Sequence, residues 1–116
     1  TRAVKLQKRA ANVGFDWPDM SPVIDKIHEE IEELKEVLGS QNTIDLDRAE
    51  DELGDVLFSV VNLSRHLDLD PEQALRRTNQ KFEKRFRYVE KTIKERGLNI
   101  EDTSLEYMEK LWVSQK

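Results

Sequence analysis

The sequence contains no cysteine. This excludes a disulfide scaffold, a thiolate metal site and a cysteine nucleophile, and it is compatible with the reducing cytoplasm, the expected location. Glycine and proline are scarce, four and three in 116 residues, so little interrupts a regular helix. No uncharged apolar run approaches the roughly 18 residues of a membrane span. The first residues, Thr1-Arg2-Ala3-Val4-Lys5-Leu6, lack the apolar core of a secretory signal. Basic residues are outnumbered, 19 to 24, for a formal charge of −5. That balance argues against a nucleic acid polymer or an anionic membrane as partner. The length suits a single domain over residues 1–116 with a modest core.

What the chain does contain is apolar residues at helical spacing. Val4, Leu6, Ala10, Ala11 and Val13 predict a short helix over 2–13, followed by a loop, Gly14–Asp19, that carries Phe15 and Trp17. Ser21-Pro22 reads as an N-cap with proline in the first turn. Val23, Ile27, Ile31, Leu34 and Leu38 then recur at spacings of four, four, three and four, with Gly39 as the expected C′ residue. After the polar link Ser40-Gln41-Asn42, a third helix is expected over 44–67. Seven of the eleven residues from Leu53 to Leu63 are apolar, which predicts burial on most sides. Asp70-Pro71 starts a fourth helix with the stripe Leu75, Phe82, Phe86, Val89 and Ile93, down to Gly97. Thr103 and Glu106 suggest a capping box for a last helix ending near Trp112. Short links and the lack of a strand pattern predict an all-α antiparallel bundle of four to five helices.

The charges sit in a pattern relative to these stripes. At about 100° per residue, Lys26, Glu30 and Glu33 share one edge of the second helix, with Glu29, Glu32 and Glu36 on the far side. Arg48, Glu52, Asp55 and Ser59 form one line on the third. Asp55 lies inside Leu53-Gly54-Asp55-Val56-Leu57-Phe58, where a lone buried carboxylate would be costly unless a cation met it. A helical hairpin could bring Glu30/Glu33 and Glu52/Asp55 together. Four carboxylates without His or Cys suit a hard cation, Mg²⁺ or Mn²⁺. On spacing alone, a solvated acidic face is the commoner outcome for Glu30/Glu33, and a solvated basic face is an equal reading of Lys81 and Arg85. Trp17 and Trp112 could stack on a base or simply pack. His28 and His66 have no triad or ligand partner. Neither follows a glutamate by three residues, so a di-iron bundle is set aside.

Glu29-Glu30-Ile31-Glu32-Glu33, followed after eighteen residues by Glu52-Leu53-Gly54-Asp55, resembles the EExxE…ExxD signature of the MazG nucleoside triphosphate pyrophosphohydrolases. Leu6–Trp17, Val61–Arg65 and Asn79–Phe86 resemble further MazG segments in the same order. The likeness spans nearly the whole chain. It implies an all-α fold binding a nucleoside triphosphate through Mg²⁺, with the α–β phosphoanhydride cleaved to a monophosphate and pyrophosphate. Carried over by position, Glu30, Glu33, Glu52 and Asp55 match the metal ligands. Lys26, Lys81 and Arg85 match phosphate contacts, and Trp112 a nucleotide contact. Arg48 takes a phosphate-contact position that the family often fills with lysine, and Trp17 lies in the loop expected to touch the base. Glu29 and Glu33 are the candidate general bases. The family also implies a homodimer, and the opening segment looks most like the second MazG domain of two-domain members. The rival readings are a pyrophosphohydrolase restricted to dUTP or dCTP, and a non-catalytic helical regulatory or dimerisation module.

Overall fold

The computed structural model describes residues 1–39 and 43–115. The expected link Ser40-Gln41-Asn42 lies outside them. Five α-helices follow in order: α1 (Arg2–Asn12), α2 (Ser21–Gly39), α3 (Leu46–His66), α4 (Pro71–Glu95) and α5 (Leu105–Val113), with a 3₁₀ turn at Ile100–Asp102 before the last. No strand occurs among the described residues. The all-α expectation holds.

The helix boundaries follow from local chemistry. Asp45 caps α3, accepting a hydrogen bond from Arg48 N at 3.2 Å. Asp70 caps α4 in the same way, through Glu72 N at 2.9 Å, and Pro71 loses nothing there because its missing N–H would have been unpaired. Three helices end in one motif. The chain turns left-handed at Gly14 (φ 89°), Asp68 (φ 58°) and Gly97 (φ 72°). The next amide then reaches back five residues to a carbonyl: Phe15 to Ala10, Leu69 to Ser64, Leu98 to Ile93.

Three boundary expectations are corrected. Ser104, not Thr103, caps α5, its hydroxyl accepting from Tyr107 N. Thr103 instead donates to Asn99 O and closes the 3₁₀ turn. Ser21 is already helical, because Met20 O accepts the first helical bond, from Ile24 N. Gly39 is the last helical residue of α2 rather than the residue beyond it.

Two compact units form, Thr1–Glu72 and Gln73–Lys116. In the first, α2 and α3 pack as an antiparallel hairpin, and α1 lies against α3. Val23 is fully buried at the start of α2. Gln7 of α1 is tied to α3 by a hydrogen bond from its Nε2 to Phe58 O at 2.9 Å. In the second unit, Val89 and Ile93 of α4 bury against Leu111, with Tyr107 and Met108 alongside. Arg96 of this unit lies over the Tyr107 ring and donates to its hydroxyl.

The expectation that α3 is buried on most sides is corrected. Leu53, Leu57, Phe58 and Val60 are all exposed, Leu57 by 59%. Its packing partners within the unit, α2 and α1, cover only part of its circumference. On α4, likewise, Leu75 and Phe82 stay exposed while Val89 and Ile93 are buried.

Candidate active site

The antiparallel hairpin brings the two acidic pairs together. One carboxylate oxygen each from Glu30, Glu52 and Asp55 lies within 4.8 Å of the others, and the same holds for Glu29, Glu30 and Glu33. Glu30 belongs to both groups and is their centre. It is also the buried one, only 5% exposed.

Asp55 was expected to be the buried acid, and this is corrected: Asp55 is exposed, Glu52 half-buried and Glu30 buried. The apolar neighbours of Asp55 along the sequence point elsewhere around α3, and several are themselves exposed. Glu30 sits on the α2 edge against which α3 closes. Glu29, placed on the far side by helical spacing, is exposed yet still brings an oxygen to the cluster.

Electrostatics divides the cluster. Lys26 Nζ donates to Glu30 Oε1 at 2.8 Å and approaches Glu29 at 3.4 Å. The Lys26 hydrogen bond holds the Glu30 carboxyl below its ordinary range despite burial, and the same bond raises Lys26. Glu33 moves the other way. A hydrogen bond shared with Glu30 and the repulsion of that carboxylate push it up, with smaller contributions from Glu52 and Glu29. Lys26 therefore serves Glu30 closely and Glu29 more loosely.

The donor set fits a hard cation on a structural ground. Glu30 Oε2 and Glu52 Oε2 are both buried with no hydrogen-bond partner among the described residues. Two desolvated carboxylate oxygens facing further carboxylates are costly as they stand. A divalent ion would satisfy both.

The other expected residues are placed as follows. Arg48 lies exposed in the first turn of α3. Trp17 lines a cavity of about 450 Å³ bounded by α1, its following loop, α2 and α3, to which Lys26 also contributes. In the second unit, Lys81 is exposed on α4. Arg85 there stacks over the Trp112 ring at 5.7 Å, and Trp112 also meets Phe82, ring centres 5.1 Å apart. His28 is exposed. His66 is structural, its Nε2 2.9 Å from Asp16 Oδ1.

Asp16, Arg65 and Gln7 were not picked out by spacing. Asp16 receives both terminal nitrogens of Arg65, at 2.8 and 3.0 Å. That pairing, together with His66 and the Trp17 amide, lowers its carboxyl to about 2 from an ordinary 3.8. A depressed native value adds stability above pH ~4 that is lost as pH falls toward 2. Wild type and Asp16→Asn should accordingly differ in urea midpoint at pH 5 and converge near pH 2, with the loop's partial exposure limiting the difference to about 1 kcal/mol. Equal midpoints at pH 5 would show that the pairing contributes nothing.

A family model, the MazG nucleotide pyrophosphohydrolase domain, matches residues 21–90. The chain is 49% identical over 115 residues to a nucleoside triphosphate pyrophosphohydrolase of Escherichia coli K12, covering 99% of this chain and 43% of that protein. It is 44% identical over 114 residues to the nucleoside triphosphate pyrophosphohydrolase/pyrophosphatase MazG of Thermotoga maritima, covering 98% and 42%. It is 51% identical over 65 residues to YabN of Bacillus subtilis, an uncharacterized protein, covering 56% and 13%. The chain thus spans less than half the length of these curated relatives.

Proposed function

The chain belongs to the MazG nucleotide pyrophosphohydrolase domain family, and from that premise we propose that it hydrolyses nucleoside triphosphates to monophosphates and pyrophosphate. The observation that carries the reading is the Glu30 centre: a buried acid with an unpartnered oxygen, ringed by Glu29, Glu33, Glu52 and Asp55 from two facing helices. In this reading Glu30, Glu33, Glu52 and Asp55 hold Mg²⁺, or Mn²⁺ in its place. The bound ion supplies Lewis-acid polarisation of phosphoryl oxygen and a more acidic water.

The chain's own residues do the rest. Glu30, kept ionised by Lys26, anchors the cation. Glu33, whose carboxyl is raised by its neighbours, is poised to take a proton from the attacking water whenever it is not itself a ligand. Glu29, exposed at the rim, is the other candidate for that task. Lys26 lies between the acid cluster and the adjoining cavity and is assigned to the phosphates. Arg48, Lys81 and Arg85 as phosphate contacts and Trp112 as a nucleotide contact enter through the family resemblance alone. Residues 1–116 would act as one MazG domain of a longer protein.

We also propose a homodimer. The exposed Leu53, Leu57 and Val60 of α3, at i, i+4 and i+7, form one apolar face larger than isolated surface residues require. Sedimentation at micromolar concentration should give twice the chain mass; a monomer at all concentrations would refute this.

No helix is long and apolar enough to cross a membrane among the described residues. The functional reading is tested by a panel of the eight common NTPs and dNTPs with Mg²⁺, products separated by ion exchange. Monophosphate and pyrophosphate in equal amounts are expected. Turnover of dUTP or dCTP alone would narrow the substrate, and turnover of none would refute the proposal.

A further inference from the structure

The formal charge of −5 divides unevenly along the chain: residues 1–72 carry −9 and residues 73–116 carry +4. The positive excess sits on the first half of α4. From Gln73 to Tyr88 there are six basic residues and a single acid, Glu83. Two of the six are engaged locally, Arg87 with Glu83 and Arg76 with Gln73. Arg77, Lys81 and Lys84 are exposed and have no ion-pair partner among the described residues.

Three of these cations form a row. Arg77, Lys81 and Arg85 recur at i, i+4 and i+8. At about 100° per residue they lie within roughly 80° of one another around α4, at steps of about 6 Å along its axis. Glu72 and Glu83 fall on the opposite side. Like charges one turn apart weaken a helix, so a row of three with no acid among them costs stability until an anion meets it. The row also has a direction. At its C-terminal end Arg85 lies over the Trp112 ring at 5.7 Å, and Trp112 is assigned above to the nucleotide. A phosphate chain that starts there runs toward Lys81. Three phosphorus atoms, joined through single bridging oxygens, are covered by about one helical turn, 5.4 Å. Arg77 stands one turn beyond, past the end of a triphosphate.

We propose that Arg77 is a further phosphate contact that reads the length of the phosphate chain, and that nucleoside 5′-tetraphosphates are held better than triphosphates. This rests on the nucleotide reading above, in which Lys81 and Arg85 meet the phosphates. Arginine suits a chain end, since its planar fork donates two parallel N–H bonds to one phosphoryl group. The reaction is the same step with a longer leaving group. The water oxygen bonds to the α-phosphorus, and the bond from that phosphorus to the bridging oxygen breaks. Tripolyphosphate leaves with the bridging oxygen, the hydroxyl stays on the monophosphate, and the second proton passes to solvent.

The test is calorimetry in EDTA, which reads binding apart from turnover. Wild type should bind adenosine 5′-tetraphosphate about fivefold more tightly than ATP, the size of an exposed charged contact. Arg77→Ala should lose most of that ratio and Arg77→Lys should keep part of it. Arg87→Ala removes the same charge from another side of the helix and should keep all of it. Equal dissociation constants in the wild type, or no binding of either nucleotide, overturn the proposal. So does a ratio that survives Arg77→Ala, or one that Arg87→Ala abolishes equally, which would make it an effect of net charge. The two readings fail separately. ATP turnover with Mg²⁺ and a ratio of one sinks the row and spares the enzyme. A fivefold ratio that depends on Arg77, with neither nucleotide turned over, does the reverse.

Discussion

Glu30→Gln is expected to lower Mg²⁺-dependent triphosphate hydrolysis by at least about 10³-fold, within the range for removing a central electrostatic contributor, and yet to leave the fold standing. The two effects have one cause. Among the described residues, Glu30 is the only acid shared by both carboxylate groups, and its Oε2 is buried without a hydrogen-bond partner. A carboxamide of the same shape removes a buried negative charge surrounded by like charges, a charge that is costly without a cation. The lost ion pair with the partly exposed Lys26 works in the opposite direction, by about 0.5 kcal/mol for such an i, i+4 pair. Thermal melts in EDTA should therefore be nearly unchanged or slightly higher in the mutant. Adding Mg²⁺ should raise the wild-type melt, by about 1.4 kcal/mol at tenfold excess over the dissociation constant, and leave the mutant's in place. A mutant that melts far lower in EDTA would make Glu30 a structural residue.

Lys26→Met carries the second large effect, and its signature differs. The ammonium is the strongest influence lowering the Glu30 carboxyl. Without it, burial pushes Glu30 up, so a proton competes with the metal. Turnover should fall by about 10²-fold at neutral pH and recover in part as pH rises, because deprotonation then restores the ligand. Stability in EDTA should drop by about 1 to 2 kcal/mol, less than for a fully buried pair because Lys26 is 38% exposed at its side chain. Saturating Mg²⁺ should return most of that loss. Activity equal to wild type across pH 6 to 9 would remove Lys26 from the site.

Much of this site was legible in the sequence because helical spacing alone puts Lys26, Glu30 and Glu33 on one edge of α2, and the ion pair at 2.8 Å is the physical result. The Asp-Pro start of α4 and the glycine end at Gly97 were legible for a similar reason, since each depends on a few adjacent residues. Which acid is buried was not. Asp55 carries the apolar flanks, but burial depends on how the two helices meet, and α3 closes over Glu30 of α2 instead. Gln7 was invisible for the same reason. A glutamine on a short amphipathic helix looks solvated until Phe58 O, 51 positions away, is found beside its amide. The apolar run of α3 predicted a buried helix, and the exposed Leu53, Leu57 and Val60 show that composition counts apolar residues without saying what covers them.

The most direct test of the central claim is the phosphorus at which water attacks. Clustered acids and a neighbouring lysine position a cation and a polyphosphate, and they leave the choice of phosphorus to the geometry of the bound substrate. The account predicts attack at the α-phosphorus. In ¹⁸O-labelled water with Mg²⁺ and a nucleoside triphosphate, mass spectrometry should find one label in the monophosphate and none in the pyrophosphate. Label in pyrophosphate would place attack at the β-phosphorus, and labelled orthophosphate with a nucleoside diphosphate would place it at the γ-phosphorus; either result would contradict the assignment.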